Sequence, residues 1–223
     1  MSGGQRYGRE QALEEVRALL ALCVGTYDTW TVAGSLRRGR LDVGDAEHVV
    51  IPKMHQPPAP EPIRDLFGNV VADYTPPKPR NLLIERLDQL LADGQIKQAI
   101  KSDGRTRWGD RYRALVLPGN TMHHELWMGD TTNYGALLAI RTGPQEIGIT
   151  LVTRLRRVGV AQHEGYLRKV ETAPTPAGGF EERYGDVVPV PDEETYFKLA
   201  GFPKVPDVRD RDNLAQHLRR THG

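Results

Sequence analysis

Two extended runs with only a short basic turn between them restrict this chain more than anything else in it. Asp28-Thr29-Trp30-Thr31-Val32-Ala33 is β-branched and aromatic and breaks at Gly34-Ser35, and a second run from Asp45 to Ile51 ends at Pro52. The chain between Ser35 and Gly44 is only long enough to bring the second strand back beside the first. Side chains two apart in a strand share a face, so Asp45 and Glu47 point to one side while Ala46 and His48 point to the other. Apposed carboxylates repel unless a cation lies between them, and hard oxygens suit magnesium or manganese. Gly34-Ser35, opening a turn or short helix, offers backbone amides, a hydroxyl and Arg37 or Arg38 to an anion, and Gly44 permits close approach just before Asp45. Metal-binding and phosphate-binding groups therefore share one edge.

Helical spacing surrounds this pair. Leu13, Val16, Leu19, Leu20 and Cys23 form one stripe over Glu10 to Cys23, ended by Gly25. Asn81 caps a second helix whose Leu83, Leu87, Leu90 and Leu91 share a face, and Gly94 closes it. Between them, the proline-rich stretch His55 to Arg80 reads as a surface loop with one turn at Ile63 to Phe67. Strand-like segments follow at Gln95 to Lys101, Arg107 to Leu117 and Met122 to Met128, with a turn at Pro118-Gly119-Asn120. After Asp130 the pattern turns helical through Tyr134, Leu137, Leu138 and Arg141. It breaks like a hinge at Thr142-Gly143-Pro144 and resumes at Ile147, Leu151, Leu155 and Val158. A hairpin is drawn from Ala161 to Thr172 and Gly185 to Val190, and Asp192 caps a last helix through Phe197 and Leu199 to Gly201. The expected class is mixed α/β (α+β), without internal repeats.

Composition narrows the function classes. Of 223 residues, 39% are apolar and 26% charged, as in a soluble globular protein rather than a disordered one. No run of about 18 apolar residues occurs, and the first residues lack a secretory signal, so a cytoplasmic protein with no membrane partner is expected, the nucleoid or a virus-infected cell's cytosol included. Cys23, the single cysteine, sits among leucines and reads as a buried thiol. Net charge is only +1, but the basic residues cluster: Arg37, Arg38 and Arg40; Lys97 to Arg113; Arg154, Arg156 and Arg157. Trp30, Trp108 and Trp127 alternate with apolar neighbours and read as core.

Gly34-Ser35-Leu36-Arg37-Arg38-Gly39 followed by Gly44-Asp45-Ala46-Glu47 resembles the signature of the nucleotidyltransferase superfamily, and more closely that of family X DNA polymerases, the DNA polymerase beta relatives. The resemblance extends to His124-Glu125-Leu126, where a third metal carboxylate is expected, to Thr142-Gly143 beside the nucleotide, and to Val190 to Arg209 as the closing part of a thumb. It covers about Gln11 to Asp210, without the lyase domain and helix-hairpin-helix clamp these polymerases commonly carry.

The resemblance implies a nucleotidyltransferase palm over residues 1–130, with a mixed sheet and flanking helices, and a C-terminal thumb-like, nucleotide-binding subdomain over 131–223. Asp45 and Glu47 would hold two Mg2+ or Mn2+ ions, with Glu125 on the catalytic one and accepting the proton of a primer 3′-hydroxyl. Gly34, Ser35, Arg38 and Gly44 would hold the triphosphate, with Arg6 or Arg9 as an added contact; Ile140, Arg141, Thr142 and Gly143 would lie on the sugar side. Arg105, Arg107, His123 and Arg154 are the candidate nucleic-acid contacts. The expected activity is transfer of nucleoside monophosphates from NTP or dNTP to a DNA primer/template or gapped DNA, in short gap filling or repair, by a monomer. The rivals are template-independent terminal or RNA nucleotidyl transfer, which Ile140-Arg141 in place of aromatic residues would permit, and a non-catalytic nucleotide- or nucleic-acid-binding protein.

Overall fold

The computed structural model describes residues 5–58, 67, 77–175 and 178–222. It opens with β1 (Tyr7–Gly8), α1 (Arg9–Leu22) and β2 (Tyr27–Val32), then α2 (Gly34–Arg37), β3 (Asp42–Val43) and β4 (Asp45–Pro52). After β5 (Met54–His55) come β6 (Arg80–Asn81), α3 (Leu82–Ala92), β7 (Lys97–Gln98), β8 (Tyr112–Val116) and β9 (His123–Met128). The rest is α4 (Tyr134–Thr142), α5 (Gln145–Arg157), β10 (Val160–His163), β11 (Tyr166–Pro174), β12 (Phe180–Val187), α6 (Glu193–Leu199) and α7 (Arg211–His222). The class is mixed α/β, a five-stranded mixed sheet with flanking helices. The turn expected at Ile63 to Phe67 lies, Phe67 apart, outside the described residues. Among the described residues no helix is long and apolar enough to cross a membrane.

The sheet runs β2-β4-β9-β8-β7, and only β4 and β9 are parallel. One face carries Val50, Leu115, Leu126 and Met128, which pack with Leu19 and Cys23 of the α1 region and Leu83, Leu87 and Leu90 of α3 into one core cluster. Asn81 caps α3 as expected, its side-chain oxygen accepting from the amides of Leu83 and Ile84. A second cluster joins α4, α5, α6 and α7 through Ala139, Ile147, Leu151, Phe197 and Ala215. Val190 anchors the chain before α6 to the start of α4, accepting from Gly135 N–H and donating to Thr132 C=O.

Three expected elements differ. The strand drawn from Ala161 to Thr172 is broken at Glu164-Gly165, both at positive φ (50° and 84°), so a three-stranded sheet β10-β11-β12 replaces a hairpin. Its outer strand is Phe180–Val187, because Pro189 and Pro191 lack the N–H that a longer ladder needs. The run Gln95 to Lys101 shrinks to Lys97–Gln98 where Lys101 C=O accepts from Gly104 N–H in a tight turn, and Arg107 to Leu117 begins only at Tyr112, after Gly109-Asp110. The helix α7 was not foreseen.

Candidate active site

Strand register assembles the carboxylates. In the parallel β4/β9 pair Asp45 stands beside His123 and Glu47 beside Glu125. All four side chains therefore lie on the face opposite the α1/α3 core. Burial, then the charge of Asp45, pushes the Glu47 carboxyl up to about 8; burial, then the charge of Glu125, raises Asp45. Such crowded hard oxygens are a donor set whose repulsion a divalent ion relieves.

Nearby cations draw these carboxylates in different directions. Lys101 Nζ donates to Glu125 Oε1. Arg141 Nη1 lies 3.9 Å from Glu47 Oε1, and its guanidinium stacks 3.7 Å over the Trp127 ring. Among the described residues no group of three or more His, Cys, Asp or Glu side chains is gathered tightly enough to hold a metal ion. The donor chemistry fits a divalent ion; the side chains are arranged around their own cations. Trp127 is thus not the core residue its alternation suggested: half-buried, it lies between Arg141 and Tyr112 on the carboxylate face.

A cleft of about 750 Å³ adjoins Asp45 and Glu47. Its walls include Ser35, Arg38 and Gly44 on one side and Ile140, Arg141, Gly143, Gln145, Gly148, Ile149 and Val152 on the other, with Arg6 at the rim. Gly34, at φ +61°, turns the chain from β2 into α2 and stands against Glu47: a Cβ there would lie 2.5 Å from Glu47 Oε2. Arg38 does not point free into the cleft. Its Nη1 donates to Thr142 C=O and its Nε to Asp212 Oδ1 of α7 at 3.1 Å. Thr142 is fully buried, with its hydroxyl accepting from Arg37 Nη1 at 2.6 Å, so it braces the cleft rather than lining it. Arg37 also donates to Glu193, which accepts a second bond from the fully buried Arg211.

The basic residues expected to meet nucleic acid are dispersed. His123, with Arg6, Gln5, Tyr7 and Thr121, borders a second hollow on the other side of Asp45. Arg107 pairs with Asp103 at 2.5 Å, Arg105 is exposed on the same turn, and Arg154 stacks 4.4 Å over Phe202, away from the carboxylates. Arg9 donates to Leu36 C=O and so braces α2 from behind.

On the opposite face, Trp30 Nε1 donates to His48 Nδ1 at 2.9 Å, which leaves His48 Nε2 to donate to His124 Nδ1 at 3.1 Å. His124 Nε2 then faces Glu15 across 3.5 Å, too long and poorly aimed for a hydrogen bond. Burial pushes His124 down to about 4 and lowers His48 well below its ordinary range. A neutral, buried histidine pair thus supports the two carboxylate-bearing strands from beneath. Sequence reasoning missed the roles of Lys101, Asp212, Glu193 and Arg211; of these Lys101, at the end of the expected strand Gln95 to Lys101, and Glu193, next to the expected cap Asp192, lay in expected elements.

Comparison with models of known protein families and with curated proteins gives no significant match.

Proposed function

We propose that this chain is a nucleotidyltransferase that adds nucleoside monophosphates from a nucleoside triphosphate to a nucleic-acid 3′-hydroxyl, in the manner of the family X DNA polymerases its sequence resembles. The observation that carries the reading is the β4/β9 register, which sets Glu47 beside Glu125 and Asp45 on the same face, at the wall of a cleft that also holds Ser35, Arg38 and Gly44. Asp45, Glu47 and Glu125 would hold two Mg2+ or Mn2+ ions. When bound, these supply the positive charge that stabilises the attacking and leaving oxygens.

The chain's own groups do the rest. Ser35, Arg38 and the Gly44 backbone bind the triphosphate, and Ile140, Gly148 and Val152 give the base and sugar an apolar wall. The acceptor end approaches from the His123 side of Asp45, where Arg6 and His123 meet its phosphate. The 3′-oxygen bonds to the α-phosphorus, the bond to the β-phosphate oxygen breaks and pyrophosphate leaves. Glu125 takes the hydroxyl proton.

Gapped DNA filled by short repair synthesis is the leading substrate. Template-independent transfer is the second reading, favoured by one observation: the middle of the α5 wall, Gly148, Ile149 and Val152, carries no group able to hydrogen-bond a base edge, which leaves Gln145 and Thr153 as the polar α5 side chains at the cleft. The test offers each dNTP and NTP, with Mg2+ or Mn2+, to gapped, primed and single-stranded substrates. Asp45→Asn should abolish transfer while the fold survives. Transfer by the Asp45→Asn protein at the wild-type rate would remove the site, and none by the wild type on any substrate would remove the function.

A further inference from the structure

Glu125 is the most enclosed of the three carboxylates, yet among the described residues the only cation bonded to it comes from an irregular segment at the edge of the sheet. The register explains how Lys101 reaches it. Ala99 N–H donates to Ala114 C=O, so the segment after β7 runs along β8, and Ala114 is also the register partner of Glu125. Its methyl leaves room on that face of β8 for Lys101 to reach the next strand. Tyr112, two residues along β8 on the same face, brings its hydroxyl to both Lys101 and Glu125.

The two cations of the site differ in how firmly they are held. Arg141 is a planar group pinned on Trp127. Lys101 is a compact charge on a flexible stem, more than a quarter exposed, at the margin of the cluster. Two positive charges cannot share the Glu125 carboxylate at close range without repelling.

We propose that Lys101 is the resident counter-cation of the carboxylate cluster, and that a divalent ion enters by displacing Lys101 from Glu125. This rests on the metal-dependent nucleotidyltransferase reading and adds to it a residue that positions Glu125 before loading and sets how much metal the site requires. It keeps the three acids folded together when no ion is bound, at the cost of weaker ion binding. The coupling is reciprocal: whatever Lys101 contributes to the empty site is subtracted from the affinity of the filled one.

The test is titration of the full chain with Mn2+ alone, without nucleotide or DNA, followed by calorimetry. Lys101→Met should bind Mn2+ about tenfold more tightly than wild type, within the usual range of coupled sites, and Lys101→Arg, which keeps the charge, should not. Equal or weaker binding by Lys101→Met overturns the proposal. Should Lys101→Met fold poorly, amine labelling of the wild type decides: acetylation of Lys101, read by peptide mass spectrometry, should rise when Mn2+ replaces EDTA, and an unchanged rate overturns the proposal. Asp45→Asn separates the two levels. If it binds Mn2+ as wild type does, the carboxylates are not a metal site and the functional reading falls as well. If it loses Mn2+ while Lys101→Met binds as wild type, only the role of Lys101 falls.

Discussion

Gly34→Ala separates the stability of the fold from the position of one catalytic oxygen. The residue sits at φ +61°, a region that costs an L side chain about 1 to 2 kcal/mol. The new Cβ would also lie 2.5 Å from Glu47 Oε2, the free end of a side chain whose nearest charged partner, Arg141, is 3.9 Å from the other oxygen. That end can swing away, so the overlap adds little to the unfolding free energy. To reach an ordinary contact of about 3.4 Å the oxygen must retreat by about 0.9 Å. A displacement of about 1 Å at reacting groups costs on the order of a hundredfold, or about 2.7 kcal/mol of activation free energy. Urea unfolding in EDTA should therefore show a loss of about 1 to 2 kcal/mol, while single-turnover transfer falls about a hundredfold at saturating Mg2+. Wild-type transfer together with that stability loss would refute the link between the Gly34 backbone and the Glu47 oxygen. A loss above about 4 kcal/mol would refute the claim that the side chain yields.

Two further outcomes follow from the charges. The Glu47 carboxyl is raised from 4.5 to about 8 in the fold, so its protonated form contributes stability that is fully present below about pH 4.5 and lost as pH rises through about 8. In EDTA, wild type measured against Glu47→Gln should lose on the order of 5 kcal/mol across that window, a comparison in which the histidine titrations cancel; a pH-independent difference would count against the buried carboxyl. Arg37→Met leaves Glu193, only 10% exposed, with Arg211 alone and strips the Thr142 hydroxyl of its donor, so a loss of about 2 to 4 kcal/mol is expected by urea unfolding. A loss under about 1 kcal/mol would mean the pair is screened like a surface one.

The part of the site that lies within a single strand was legible in the sequence. Two-residue alternation placed Asp45 and Glu47 on one face, and the short return from Ser35 to Gly44 set Gly34 and Ser35 beside them. Glu125 came from family resemblance, because alternation cannot say which strands are neighbours; its place beside Glu47 is fixed by the sheet order. Lys101 lies in a stretch that periodicity treats as strand but that turns at Ser102-Asp103-Gly104, and its target is a strand away. The helix α7 was invisible for a different reason. Arg211, Asp212, Asn213, Gln216 and His217 leave it only a short apolar stripe, and its attachment rests on the buried charge of Arg211 and the Asp212 bond to Arg38 as well as on Leu214 and Ala215 in the core. At Glu164-Gly165 the turn signal was present, but the β-rich residues on either side outweighed it.

The one parallel pairing in the large sheet also bears on how the site comes into being. Because β4 and β9 are neighbours, everything from Lys53 to Met122 must be looped out before Glu47 can meet Glu125. Closing so long a loop costs entropy that grows with the logarithm of its length, and the register it reaches sets two acids side by side. The hairpins β2/β4 and β8/β9 are local and can form first, each carrying part of the cluster. No amino-terminal fragment that stops before His123 contains the complete acid set, so refolding should recover strand content before it recovers affinity for a divalent ion.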